Sequence, residues 1–294
     1  MKLEYRPDGL NDPDKDKEQV QNALEQGLDM ADQMKYQAEK MKDKPFKEKL
    51  SYFWEYYKMP VIGVIVGLII VISIVKTLVS AKDYCFVAML VNSSNIDTDV
   101  MESDFGKYAG LDLNKYECYI NANESENIMS SNASDYGAAT RFAALLSAND
   151  LDCVIYDSTV FNNKAVNDVF VDLTTVLDPE DIKRYEQDFY YVDREILKKV
   201  AEDLSFEDAY LSERGSLEDQ KKDLEYHTNP EAMADPVPVG IVLTDTPMVK
   251  VTDSYYEMFP VFAITQNTQR LDTSIAFLHY ITDDSIDFNP LRMF

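Results

Sequence analysis

The stretch that decides the architecture is Val61–Val79, VIGVIVGLIIVISIVKTLV. Fifteen consecutive residues, Val61 to Val75, carry no charge, and Lys76 alone interrupts the apolar run. At about 1.5 Å per helical residue the stretch reaches roughly 28 Å, close to the ~30 Å hydrocarbon core of a bilayer. A helix satisfies its own backbone in lipid, so the expectation is a single membrane-spanning helix. Gly63 and Gly67 lie four apart within it, a G-x-x-x-G spacing that lets two helices approach closely. Two glycines are also ordinary in membrane helices, so a homodimer through this helix stands as one expectation beside a lone anchor.

The flanks orient the span. Seven lysines and no arginine lie between Lys35 and Lys58, and Phe53, Trp54, Tyr56 and Tyr57 form an aromatic belt just before the apolar run. Only Lys82 follows before the acidic region begins. The positive-inside rule puts the N-terminus in the cytoplasm and the C-terminal domain outside. Trp54, Tyr56, Tyr57 and Lys58 then mark the inner membrane interface, and Lys76 snorkels to the outer one. Val79-Ser80-Ala81 also satisfies the small-residue rule for signal cleavage. A leader of some eighty residues is unlike a signal peptide, which favours an uncleaved anchor.

Charge separates the two sides more sharply than the total. Residues 1–82 hold 13 basic and 13 acidic side chains, whereas residues 83–294 hold 15 basic and 40 acidic, the whole net charge of −25. No cationic surface is available there for nucleic acid. A solvated acidic face is the plain consequence; attraction of cationic peptides or divalent ions is the sharper one. The three cysteines, Cys85, Cys118 and Cys153, each sit in an apolar run and read as small hydrophobes rather than a disulfide framework.

The chain then divides as a disordered start (1–17), a cytoplasmic helical arm and juxtamembrane segment (18–58), the transmembrane helix (59–81) and an extracytoplasmic α/β domain (82–294). Asp12, Asp14 and Asp16 alternate as in a calcium loop, but Lys17 and Ala23 stand where that loop needs Gly and Glu, so it fails. Leu24, Ala31, Met34, Ala38 and Met41 form a weak heptad seam over Glu18–Lys42.

In the downstream domain, strands are expected at Tyr84–Val91, Tyr116–Asn121, Leu151–Tyr156, Val239–Leu243 and Pro260–Thr265. Helices are expected at Asp99–Ala109, after an Asp135 cap, from Pro179 to Asp188 and at Arg270–Ile281, with a short tail after Asp283. Residues 193–226 read as helical or loop-like. The opening alternation of strand and helix is the signature of an α/β sheet with parallel neighbours.

Ligands of open α/β sheets sit beyond the carboxyl ends of strands. Those ends carry Asn92-Ser93-Ser94, Asn121 with Asn123, Asp157-Ser158-Thr159, and Asp245 between Thr244 and Thr246. Such short polar side chains can converge on a small ligand, although the same residue types favour turns for backbone reasons. Tyr156, Tyr190 and Tyr191 are candidates for stacking, since the single tryptophan, Trp54, precedes the span. Sequons occur at Asn92, Asn123 and Asn132 and matter only in a eukaryotic secretory route.

Catalytic motifs are missing. G-x-S-x-G, P-loop, G-x-G-x-x-G and H-E-x-x-H do not occur, and the two histidines, His227 and His279, have no Cys/His metal spacing around them. Forty carboxylates guarantee accidental pairs, so a hydrolase pair cannot be picked out. No catalytic residue, cofactor or metal site is assigned.

The run Ala138–Ser158, AATRFAALLSANDLDCVIYDS, resembles the helix-then-strand segment of extracellular solute-binding proteins, where an acidic residue, three apolar residues and Asp follow in order: Asp152, Cys153-Val154-Ile155, Asp157. Pro260–Ile281, with Asn267, Ala276 and Phe277, is similar to that family's late strand and helix, and Phe170–Leu177 followed by Asp178-Pro179-Glu180 to its segment between lobes. A membrane helix replaces the lipidated cysteine, as in single-pass membrane proteins of Gram-positive bacteria with such an outer domain. The resemblance implies a periplasmic-binding-protein-like (type 2) fold in one or two lobes, and a non-catalytic domain binding a small solute or peptide. The alternative is an envelope scaffold, partnered by another envelope protein, that reuses the fold without a ligand.

Overall fold

The computed structural model describes residues 45–80, 82–126, 133–202 and 216–293. The expected disordered start, the helix over 18–42, the sequon at Asn132 and the side chains of Tyr56 and Tyr57 lie outside the described residues. The chain divides into two units, residues 1–81 and 82–294.

The first unit contains α1 (Phe46–Ser80), which begins directly after Pro45. It runs without a break through the expected boundary between juxtamembrane segment and span. Pro60 lies inside it and cannot donate to the carbonyl four residues back. Lys58–Lys76 is the one described helix long and apolar enough to cross a membrane. Met59, Val64, Ile69 and Ile72 stand exposed along it. A Cβ added at Gly63 or Gly67 would meet nothing within 4 Å, so neither glycine serves packing among the described residues.

The second unit is built on one sheet of six strands: β1 (Tyr84–Leu90), β2 (Glu117–Asn121), β3 (Cys153–Asp157), β4 (Phe189–Asp193), β5 (Pro236–Val242) and β6 (Pro260–Ile264). Their order across the sheet is β2-β1-β3-β6-β5-β4. β1 pairs in parallel with both β2 and β3. The far half is antiparallel, β3 with β6, β6 with β5 and β5 with β4. The result is a mixed α/β sheet within this unit.

Helices cover both faces, which is why YCFVAML and CVIYD read as continuous apolar runs instead of alternating ones. On one face Phe86, Ala88 and Leu90 of β1 and Cys153 and Ile155 of β3 meet α2 (Thr98–Tyr108) and α9 (Leu271–Thr282). The aromatic centre there is Phe86, Phe105 and Phe277, with ring centroids 4.8 to 5.0 Å apart. Burying each such ring stabilises the fold by about 1.5–3 kcal/mol. The opposite face sets Val87, Met89, Val154 and Tyr156 against α3 (Ala133–Ser147) and α4 (Ser158–Ala165). Gly240 of β5 is required by this packing. A Cβ there would lie 2.6 Å from Val261 Cγ1 and 2.9 Å from Phe161 Cζ.

Several expectations are corrected. Asp135 lies inside α3 rather than capping it. The helix at Pro179, α5, ends at Tyr185, and the residues after it form β4, where no strand was expected. α6 (Arg194–Glu202), α7 (Leu217–His227) and α8 (Pro247–Thr252) follow. Pro236 and Pro238 lie within β5, not before it. They are tolerated because β5 pairs with β6 only through Ile241 and Val242, leaving that edge of its first half without ladder bonds to supply. The segment after Asp283 is anchored: Phe288 and Leu291 are buried, and Ile96 bridges Arg292. At the sheet edge, Glu102 accepts from Ile120 N at 2.8 Å and occupies a donor that a free edge would expose.

Candidate functional site

Because β1 and β3 are parallel neighbours, their carboxyl ends deliver Asn92 and Asp157 to one place. Asn92 follows Val91 with φ 62°, a left-handed conformation that asparagine tolerates better than most residues. Its backbone N–H donates to Glu124 O at 3.0 Å. Its side-chain Nδ2 donates to Asp157 Oδ2 and, at 2.9 Å, to Glu126 O, while its Oδ1 accepts from Glu126 N at 2.8 Å. One amide thus ties the loop after β2 to the end of β3.

Asp157 ends β3, and α4 starts at the next residue without a connecting loop. Ser158 and Thr159 are buried in the first turn of α4, and Ser158 N donates to Phe259 O at 2.8 Å. Lys164, on the same helix, pairs with Glu126 Oε1 at 2.6 Å and lies over the Phe142 ring, 5.3 Å from its centroid. Glu126 is itself buried. Tyr156 stands edge-on to Phe142, and burial, then Glu126, pushes its hydroxyl well above its ordinary value.

A second loop closes on the cluster. Ser94 N donates to Ser254 O at 2.8 Å, and Ser93 Oγ donates to Leu90 O at 2.9 Å. Tyr255 donates from its hydroxyl to Ile155 O at 3.2 Å; burial, then Asp157, pushes that phenol up. Among the described residues, five buried oxygens of this region have no hydrogen-bond partner: Asp157 Oδ1, Ser158 Oγ, Glu126 Oε2, Ser254 Oγ and the Tyr156 hydroxyl. Such atoms are uncommon in folded proteins and ask for a cause.

Three of the four expected loops therefore meet. Asn121 joins at one remove: its Nδ2 donates to Glu124 Oε1 at 3.3 Å, and its Oδ1 accepts from Asn123 N at 2.9 Å. Asp245 does not join. It lies at the same end of the sheet, but it is exposed and pairs with Lys250 at 2.9 Å. Glu126, Lys164 and Ser254 were not singled out from the sequence. Glu126 is one of several polar residues in NANESEN, but Lys164 had a signal: it is the only charged residue in Ser158–Asn167.

Other candidates resolve as structural groups. Tyr156 and Tyr190 are fully buried and cannot stack on a ligand from outside. Asn92 has both amide atoms engaged, so it is no glycan acceptor. His227 lies 2.8 Å through Nδ1 from Tyr191 O and stacks on Tyr190 at 4.4 Å, while His279 pairs with Asp181 at 2.8 Å. Cys118 and Cys153 are buried free thiols whose ionisation burial pushes up. Among the described residues no group of three or more His, Cys, Asp or Glu side chains could hold a metal ion.

No family model matches the chain, and neither a curated protein nor a solved structure matches it. What stands is a mixed α/β domain following one helix of membrane-spanning length.

Proposed function

We propose that residues 82–294 form a membrane-tethered, non-catalytic ligand-binding domain, held outside the cell by α1 with the N-terminus in the cytoplasm. The observation that carries this is the buried polar cluster at the carboxyl ends of β1 and β3, with its unpartnered oxygens. Apolar packing would have been cheaper than leaving acceptors unmatched, since each unsatisfied buried group costs about 1–3 kcal/mol. A ligand that donates to them removes that cost. The type 2 binding-protein fold and the Gram-positive setting belong to this proposal, on the strength of the segments around Asp152–Asp157 and Pro260–Ile281. Orientation rests on the lysines before Met59 and the acidic domain after Lys82.

A second reading has its own support. Every member of the cluster between Asp157 and Asn163 is nearly closed to solvent. That suits an envelope scaffold whose polar network only fixes the fold, with another envelope protein or a second copy of α1 as partner.

Calorimetry of the full chain in lipid nanodiscs separates the two. A panel of sugars, short peptides, amino acids, amines and divalent metals is added at millimolar concentration. A ligand at a hundred times its dissociation constant stabilises by about 2.7 kcal/mol and raises the melting temperature of the domain. One responding class supports the binding domain; a panel without response leaves the scaffold. External protease on intact cells tests the orientation: it should digest the domain and spare an N-terminal epitope.

A further inference from the structure

The charges of the cluster do not balance. Glu126 has Lys164 as its cation at 2.6 Å. Asp157, 1% exposed, has no cationic side chain among the described residues: it stands at the N-cap of α4 without a side-chain cap bond, Oδ2 accepts from the neutral amide of Asn92, and Oδ1 accepts from no described group. Beside it Ser158, also 1% exposed, has an unpartnered Oγ, and Glu126, 7% exposed, an unpartnered Oε2. The three residues are held together: Asp157 and Ser158 are consecutive, and Asn92 bonds to both Asp157 and Glu126.

The chemistry of these unpartnered atoms is one-sided. Carboxylate oxygens only accept, and a hydroxyl accepts as readily as it donates. Among the described residues an anion finds no unpaired cationic side chain here, because Lys164 is taken by Glu126. A metal ion would need further ligands, which the described residues do not assemble. An alkylammonium group fits: three N–H donors, one positive charge, and a stem that tolerates the apolar surroundings of Phe142 and Tyr156. The net charge of −25, all of it downstream of Lys82, also raises the local concentration of cations.

We propose that the ligand carries a primary ammonium group that seats on Asp157, donating to Asp157 Oδ1, Ser158 Oγ and Glu126 Oε2. This rests on the ligand-binding reading above and names its substrate class: a small amine, diamine or amino-acid-like cation. Lys164 stays on Glu126 and keeps that carboxylate from adding a second uncompensated charge. Asn92 is the positioning residue: it ties the Asp157 carboxylate to the main chain of Glu126.

The test uses the full chain in nanodiscs and calorimetry with putrescine, L-lysine and methylammonium, against N,N′-diacetylputrescine as the uncharged partner. The domain's melting temperature should rise by several degrees with at least one free amine and stay put with the diacetyl compound. The rise should persist at 0.5 M NaCl, where attraction to a merely acidic surface is screened. Asp157→Asn should weaken amine binding at least tenfold. If that variant fails to fold, Ser158→Ala with Glu126→Gln serves instead and should weaken it by the same order. A response to a neutral member of the wider panel without any response to amines overturns the ammonium assignment and leaves the binding domain standing. Equal responses to putrescine and its diacetyl form, or a rise abolished by 0.5 M NaCl, also overturn it. No response to any compound removes both proposals together.

Discussion

β3 has a buried aspartate at each end, and the two are treated in opposite ways. Asp152, just before the strand, is fully served: Val87 N and Arg270 Nε donate to Oδ2 at 2.8 Å each, and Thr268 Oγ1 donates to Oδ1 at 2.6 Å. Arg270 goes on to donate to Asp150 O at 2.7 Å and Tyr84 O at 3.2 Å. One charged pair thereby fastens the starts of β1 and β3 to the N-terminus of α9. Asp157, the last residue of the strand, has among the described residues one neutral donor and one unpartnered oxygen. Five residues apart, the same side chain is structural glue at one end and an unmet acceptor at the other. A buried carboxylate is thus informative through its partners rather than its burial.

Breaking the satisfied end should have the largest effect. Arg270→Met leaves Asp152 buried and unpaired and should cost about 3–5 kcal/mol, read as a lower urea midpoint of the domain's circular dichroism. The loss should shrink on acidification. Burial already holds Asp152 above its ordinary value, against the pull of Thr268 and Arg270. A raised folded-state value contributes stability that is fully present below the unfolded value and lost as pH rises through the folded one. Without Arg270 that value rises further, so the variant's deficit at pH 4 should be smaller than at pH 7. An equal deficit at both would mean that packing, not charge, is what Arg270 supplies.

Asn92→Ala comes next, at about 2–3 kcal/mol, because it removes three side-chain hydrogen bonds and puts alanine at φ 62°. Paired amide substitutions sharpen the contrast further. Asp152→Asn should cost about 1.5–3 kcal/mol, since it dissolves a charge-assisted pair. Asp157→Asn should change stability by less than about 1 kcal/mol, because an amide oxygen can still accept from Asn92. Equal costs in the two variants would erase the distinction between the ends.

The smallest expected effect lies away from both. Burial lowers the His227 value, with the Tyr191 carbonyl and Asp223 pulling the other way. The neutral ring is favoured in the fold, so its contribution is present above about pH 6.5 and is lost as pH falls below it. His227→Gln should flatten the stability profile between pH 7 and pH 5, measured as the urea midpoint at each pH. A profile as steep as that of the parent chain would assign the acid sensitivity to other groups.

The strands of the parallel half were legible because YCFVAML, ECYI and CVIYD are short apolar runs set between helical patterns. β4 was not, because FYYVD follows a helix start at Pro179 and precedes a long charged stretch, so local pattern favoured helix and loop. The strand-end residues Asn92 and Asp157 were legible from a general rule about α/β sheets. Their partner Glu126 was not, since its place depends on a loop folding back across β1.

By itself the sequence determined what short-range physics decides: one apolar stretch long enough to span a bilayer, the separation of charge on either side of it, and the alternation of strands with helices. Tertiary structure alone decided which aspartate is satisfied. Asp152 and Arg270 are 118 residues apart, and Asn92 and Asp157 are 65 apart. Hydrogen-bond satisfaction is a property of neighbours in space, and neither periodicity nor composition carries information over such separations.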